Sequence, residues 1–416
     1  MFCLFSSLVF FWLCFSFIFI LYILLGRSGK FLLDLNPIYL RLPLPNVNDK
    51  IFLRNKKTVA AEKLFDGLVL NPKSVCISED ECYLYTGSIN GNIYQIDLDQ
   101  RSLNVIANFP NGRPLGIRLF RNVLYFIEAN TGLYSFDLET KSLKLLLALG
   151  DVKFIDGKKS KFFDDLVVMA NDRSEIICFI TDVSRKFNID MWCYSYLEPD
   201  SSGRIIKFNV NTGSVVVILE NLCFPNGIEI TEKYQSLLIC ELSKRRILQY
   251  DLLGPESGKT SILIDNLPGE PENIRRSGNH FKETYWIGLA LTRDYNNNLS
   301  FLDDYSTEPN LRKLILRSCF LLGMIMFSIG SWFHSDILKN KGSKLKSGLA
   351  LILNDFINNP GMAIEIDLDG DIKQSFQIKD DTAVISEITE SSKNNKNQRI
   401  LFTTSSGGHL NRISLD

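Results

Sequence analysis

Between Gly203 and Ser277 apolar and polar residues alternate in short runs: RIIKFNV, SVVVIL, GIEITE, SLLICEL, RILQYDL and TSILIDNL. Gly, Asn, Pro or Ser bounds each run. A period of two over so few residues predicts half-buried strands, and no run has the length or period of a helix. One strand form recurs along the chain, a turn followed by apolar–polar–apolar–Asp/Asn–apolar. It is found as GNIYQIDL from Gly91, GLYSFDL from Gly132, GRIIKFNV from Gly203, RRILQYDL from Arg245, GMAIEIDL from Gly361 and GHLNRISL from Gly408. A second strand precedes each copy (CYLYTGS, NVLYFIEA, IICFITDV, SLLICEL, TYWIGLA, RILFTTSS). A third precedes that one (SVCISED, PLGIRLF, DLVVMAN, GIEITEK, ENIRRSG, VISEITE). Copies of a four-stranded meander about forty residues apart, apart from two insertions, predict an all-β chain folded as a six-bladed β-propeller.

The last copy ends after its third strand. The segment Val59 to Leu70 has apolar residues and no blade of its own. It is expected to supply the missing strand beside GHLNRISL and so remove the last free sheet edge. The first insertion, SRKFNIDMWCYSYLEPDSS, falls between the second and third strands of blade three, and the second, Thr292 to Pro360, between the same strands of blade five. Both are expected on the face where the inner strands begin, at the mouth of the channel.

Two apolar stretches stand outside the strand pattern. Leu4 to Leu25 is apolar apart from small hydroxyls and one Cys. At about 1.5 Å per residue it spans a ~30 Å hydrocarbon core, and it is longer than the apolar region of about 7–15 residues in a secretory signal. The chain therefore divides into an N-terminal transmembrane anchor at 1–26, a stalk at 27–58 and a propeller at 59–416 with an insertion at 292–360. Arg27, Lys30 and Arg41 follow the anchor, which by the positive-inside rule alone would leave the propeller in the cytosol. The second stretch, Leu314 to Phe333, carries Arg317 and two glycines and lies inside a blade. It is expected as a lid helix or one lying in a membrane interface rather than as a span. Lys339, Lys341, Lys344 and Lys346 follow it, within reach of anionic headgroups.

The balance of 46 basic and 47 acidic residues, with no basic stripe, argues against a nucleic-acid partner. None of the nine cysteines forms a CxxC pair with matching histidines, which argues against a zinc site. Cys76 with Cys82, and Cys223 with Cys240, flank turns between adjacent strands. Each pair is open to a disulfide in an oxidising lumen or to two buried thiols. Asn298-Leu-Ser is the one glycosylation sequon.

From the first blade onward the chain resembles the strictosidine synthase-like propellers, in particular a membrane-anchored branch. The resemblance runs over residues 59–416 and rests on LYTGSINGNIYQID, GRPLGI at Gly112–Ile117, FFDDLVV, GRIIKFN, FPNGIEI at Phe224–Ile230, DNLPGEPENIRRS, YWIGLA and ISEITE at Ile385–Glu390. It implies a single-pass protein of the endoplasmic reticulum or plasma membrane with a luminal or extracellular propeller, against the charge rule. It also implies kinship with calcium-dependent lactonases and arylesterases, in which side-chain oxygens at the starts of inner strands gather round one cation. The matching positions here are Lys73, Asp164, Asn226, and Glu272 with Asn273. Asp164, Asn226, Glu272 and Asn273 are the implied calcium ligands, with Lys73 a departure, because an ammonium cannot ligate calcium. Lys73 is instead expected to pair with Asp164 or Glu272 and to serve as the central positive charge. Leu115 stands where the lactonase branch has a His, and Ser386 where the amine–aldehyde synthases have a Glu. Glu387 and Glu390 are neighbours that strand alternation is expected to turn away. Three function classes follow: an ester or lactone hydrolase, a non-catalytic propeller binding a small molecule or partner, and an amine–aldehyde synthase.

Overall fold

The structure is a computed structural model. It describes residues 33–43, 57–152, 157, 159–233, 235–278, 282–293, 299–358, 360–379, 384–391, 399–404 and 406–415. The expected anchor, most of the expected stalk and the Asn298 sequon lie outside these residues. Two compact units result: 42–189, 201–299 and 355–416 form one, and 1–41, 190–200 and 300–354 the other.

The first unit is six sheets, each built on an antiparallel meander. Blade one is Val75–Ile77, Tyr83–Gly87, Asn92–Asp97 and Ser102–Asn108, and the next four blades repeat that meander. Blade six is Ile388–Glu390, Arg399–Thr404 and Leu410–Leu415, completed by Glu62–Leu64 from the start of the chain. Leu64 lies opposite Leu410 and Glu62 opposite Arg412, so the expected closure is made inside the segment that the pattern singled out. One strand was not legible in the pattern. Lys57–Val59 adds to the outer edge of blade five, parallel to Ile372–Ile378. The entering chain thus pairs with blade five before it crosses to blade six.

The cores lie between neighbouring blades. Val167, Ile177 and Ile205 of blade three pack on Ile228, Leu237 and Leu248 of blade four, and Val75 and Leu84 of blade one pack on Phe402 and Leu410 of blade six. A middle strand therefore has a core on each face. All of Ser236–Glu241 is buried, whereas the outer strand Val215–Leu222 is largely exposed. Each fully buried Val, Leu or Ile contributes roughly 1.5–3 kcal/mol. The repeated Asp/Asn of the strand signature serves the turn after it. Asp97 accepts from the backbone of Asp99 and Gln100, Asp137 from Glu139 and Thr140, and Asn209 from Asn211 and Thr212. The signature is thus turn chemistry rather than a site. Cys76 and Cys240 are free thiols, so neither the Cys76–Cys82 nor the Cys223–Cys240 disulfide is formed.

The second unit is helical. It holds Trp192–Leu197, Phe301–Tyr305, Pro309–Trp332 and Asp336–Lys346, and Leu349–Asn358 leads out of it. Ser300 opens it with a capping box to Asp303. Residues of the expected stalk are held here: Arg312 donates to the Ile38 carbonyl at 2.5 Å and Arg317 to that of Leu33 at 3.0 Å.

Candidate functional site

The inner strands of blades two to five share one irregularity. Their register against the second strand shifts between Pro114 and Ile117, Phe163 and Leu166, Pro225 and Ile228, and Pro271 and Ile274. Each shift sets aside two residues that the ladder does not pair, as a β-bulge does. Those pairs are Leu115-Gly116, Asp164-Asp165, Asn226-Gly227 and Glu272-Asn273. Blades one and six place Lys73-Ser74 and Ser386-Glu387 just before their first inner-strand residues. The six pairs are equivalent, each preceding a buried Val, Ile or Leu. Glycine recurs in them because neighbouring blades close up there: a Cβ on Gly227 would lie 2.5 Å from the Glu272 carbonyl oxygen, and one on Gly116 would lie 2.7 Å from Asp165 Cα.

The first residues of these pairs include four of the five sequence candidates. Lys73 Nζ donates to Glu272 Oε2 at 2.6 Å, and both side chains are more than four-fifths buried. Asp164 feels the charge of both and is itself buried. Arg113, from the GRPLGI run, adds a second cation. It is tied to the Asn71 carbonyl at 2.8 Å and feels Asp164 and Glu272. Asn273 sits one position further along its strand, giving its amide to Glu387 at 2.9 Å and to the Lys73 carbonyl at 3.4 Å. Three buried oxygens, Asp164 Oδ1, Asn226 Oδ1 and Asn273 Oδ1, accept no hydrogen bond from the described residues.

The second residues of the pairs, with the positions just beyond, hold a charge network that was not expected. Arg275 grips Asp165 with two bonds, 2.8 and 3.1 Å, and also binds Glu387. Asp165 accepts the Ile228 amide at 3.0 Å, and Arg118 lies 3.5 Å away and donates to the Ile228 carbonyl at 3.0 Å. Glu387 accepts the Val75 amide at 2.9 Å, and Arg275 reaches Ser74 Oγ at 3.3 Å. Every blade contributes a group. Glu387 therefore turns inward, contrary to the expectation for it. Glu390 does turn away, to Trp286 Nε1 at 2.9 Å and to Arg399.

Protonation states follow from this geometry. Burial pulls the Lys73 ammonium down, but the Glu272 carboxylate, then Asp164, outweigh it, and its pKa is held above the ordinary lysine value. Lys73 is thus a fixed cation and not a free-amine nucleophile. Burial pushes Asp164 up to about 6, only partly opposed by Lys73, with Glu272 and Asp165 adding to the rise. Burial lowers Arg113 to about 10 against the pull of Asp164. Burial also raises Glu387, whereas Arg118 and Arg275 overcome it at Asp165 and keep that carboxyl below its usual value.

The raised pKa of Asp164 gives a stability test. Its folded value lies above its unfolded one, so the favourable contribution is complete below pH 3.8 and is lost as pH rises through about 6. Above that, the buried carboxylate costs up to about 3 kcal/mol relative to its protonated form. Asp164→Asn mimics the protonated form. It is expected to raise the melting temperature by about 4 °C at pH 7.5, with the advantage gone near pH 4. Melting curves across that range check it, and a variant less stable than wild type at pH 7.5 would contradict the assignment.

The calcium that the resemblance implies does not fit this donor set. Of the six equivalent first positions, Asp164, Asn226, Glu272 and Ser386 bring side-chain oxygens, of which only Asp164 and Glu272 are carboxylates, and Glu272 already holds an ammonium at 2.6 Å. Among the described residues, no three His, Cys, Asp or Glu side chains gather as a metal site.

A model of the family described as strictosidine synthase matches residues 164–255, the stretch holding Asp164, Asp165 and Asn226. The adipocyte plasma membrane-associated protein of Salmo salar is 30% identical over 303 residues, which takes in 69% of this chain and 70% of that protein. The chain belongs to the strictosidine synthase family. The Bos taurus protein of the same name is 31% identical to this strictosidine synthase-like chain over 276 residues, covering 63% of the chain and 64% of the relative. Solved structures show the fold. A gluconolactonase of Xanthomonas campestris superposes with a TM-score of 0.53 at 11% identity, over 92% of this chain and 97% of its own. A calcium-binding protein, regucalcin, of Agrobacterium tumefaciens gives 0.51 at 12% identity, over 86% and 95%. The strictosidine synthase-like chain therefore shares the six-bladed propeller fold of these two structures.

Proposed function

We propose that the channel mouth is a small-molecule site that works without a metal ion, the Lys73 ammonium serving as its fixed positive charge. The observation that carries this reading is the buried 2.6 Å pair of Lys73 and Glu272. The ligand class follows from what the site leaves unsatisfied. Asp164, Asn226 and Asn273 each offer a buried acceptor, which calls for hydroxyl or amine donors. Lys73 and Arg113 call for carbonyl or carboxylate oxygen. A small polyhydroxylated carbonyl compound, such as a sugar lactone or its hydroxy acid, supplies both. The gluconolactonase named among the neighbours makes that class a reasonable first choice.

Ester or lactone hydrolysis is a second reading, supported by Asp164. A carboxyl with a pKa of about 6 is suited to general base work near neutral pH, and an ammonium beside it can stabilise a developing oxyanion. The amine–aldehyde synthase has no support, because Ser386 replaces the Glu it needs. Calorimetric titration with gluconolactone and gluconate, with and without chelator, and an aryl ester assay run in parallel, test the proposal. Binding indifferent to chelator is expected, with turnover slow or absent. Binding or turnover that chelator abolishes would overturn it.

The membrane reading is also a proposal. The relatives' names speak of the plasma membrane, which supports an anchor near residues 4–25 and a luminal or extracellular propeller. A glycan on Asn298, detected by glycosidase treatment, is the expected sign, and an unmodified Asn298 in a membrane-expressed chain would count against it.

A further inference from the structure

The helix Pro309–Trp332 changes character along its length. Its first half is held by protein, with Arg312, Leu316, Arg317 and Cys319 buried. Arg312 donates to the carbonyls of Tyr305 and Ser306 at 3.0 and 3.1 Å, and Cys319 Sγ reaches the Leu345 carbonyl at 3.6 Å. From Leu321 to Phe333 only Gly323 and Gly330 are buried. Both glycines face the next helix, Asp336–Lys346. A Cβ on Gly323 would lie 2.3 Å from Lys346 N, and one on Gly330 would lie 2.6 Å from Lys339 N. The two helices thus form a hairpin joined along a glycine seam, a form of close packing common between helices in lipid.

The rest of that outer half is apolar and open. Leu322, Met324, Ile325, Phe327 and Ile329 are exposed, and at the tip Trp332 is 81% exposed and Phe333 72%. It is the one helix among the described residues that is long and apolar enough to cross a membrane, with a mean hydropathy of 1.8 and 28% of its apolar window buried. The hairpin's charge is one-sided. Residues 309–346 hold seven basic side chains and a single acidic one, Asp336, which is paired to Lys339 at 2.8 Å. Lys341, Lys344 and Lys346 are exposed beside the apolar helix. Lys346 sits 5.7 Å over the Phe327 ring, its stem along apolar surface.

We propose that this hairpin docks on an anionic lipid surface, with Trp332 and Phe333 entering the boundary of headgroups and acyl chains and Lys341, Lys344 and Lys346 meeting the headgroup charge. An apolar helix with a basic neighbour and an indole at its tip has the composition of interfacial helices. A second copy of the chain would bring the same basic charge to the contact, so charge favours lipid over self-association. The contact is separate from the N-terminal anchor and from the channel; anionic lipid is concentrated in the cytoplasmic leaflet, so this contact and the luminal orientation are alternatives that the glycan on Asn298 separates.

The test uses the full chain reconstituted into phosphatidylcholine vesicles, with or without phosphatidylserine, carrying brominated acyl chains. The emission lost in Trp332→Phe isolates the signal of Trp332 from the other tryptophans. On anionic vesicles bromine is expected to quench most of that emission. Lys341→Gln together with Lys344→Gln should weaken the contact by about fivefold per lysine removed, since each lysine near such a surface contributes about that factor. Trp332 emission untouched by bromine would overturn the proposal, as would cross-linking through position 332 between copies on the vesicle. Quenching that is equal on neutral vesicles and in the lysine variant would overturn the anionic part.

Discussion

Arg275→Met is expected to be the most damaging single change in the propeller, at about 3–5 kcal/mol. Arg275 is the only group that bonds both Asp165 and Glu387 among the contacts described, and both carboxylates are fully buried. Removing the guanidinium leaves two buried acids with Arg118, 3.5 Å from Asp165, as the remaining cation, and their other bonds tie together blades one, two, four and five. For a chain of this size the loss corresponds to about 4–7 °C in melting temperature. The pH dependence identifies the cause. Without Arg275 the folded pKa of Glu387, already raised by burial, rises further and that of Asp165 loses part of its depression, so the variant loses stability relative to wild type as pH rises. The deficit should be largest near pH 8 and shrink toward pH 5. A deficit that is flat with pH would mean that lost packing, not uncompensated charge, is the cause.

Lys73→Glu is expected to create calcium affinity. Two unit charges 4 Å apart interact by about 4 kcal/mol at an effective dielectric of ~20. An ammonium beside the ligand oxygens therefore costs a cation several hundredfold in affinity, roughly. Reversing that charge removes the repulsion and adds an oxygen ligand next to Asp164, Asn226 and Glu272. In the absence of calcium the variant has three acids facing one another and should melt below wild type. Millimolar calcium should restore it. A variant that stays as stable as wild type without calcium, and gains nothing from it, would show that position 73 does not face the acids.

Much of this was legible in the residues because repetition makes a local pattern global. The strand signature recurs with its turn Asp or Asn, and the six blades and the closing segment at 59–70 follow from that count. The Lys73 pairing was also open to sequence reading, because an ammonium at a carboxylate's position needs an acid. Lys57–Val59 was not legible, since parallel pairing to a distant outer strand leaves no mark in a three-residue run. Nor was the inward turn of Glu387. Period-two alternation assigns faces only where the ladder is regular, and the site residues sit where it is not. Bulges at Asp164-Asp165 and Glu272-Asn273 present adjacent residues to the channel side, which strict alternation forbids. The remaining signal was compositional: FFDDLVV and ENIRRS carry charge inside otherwise buried strands, and such charge must be paired.

The most direct measurement is calorimetric titration of the wild-type chain with calcium, beside Lys73→Glu, in chelator-treated buffer at neutral pH. The wild type is expected to give no binding heat in the micromolar range and no shift in melting temperature, while the variant gives both. Micromolar calcium binding by the wild-type chain would contradict the account, because it would mean that the Lys73–Glu272 pair gives way to the ion.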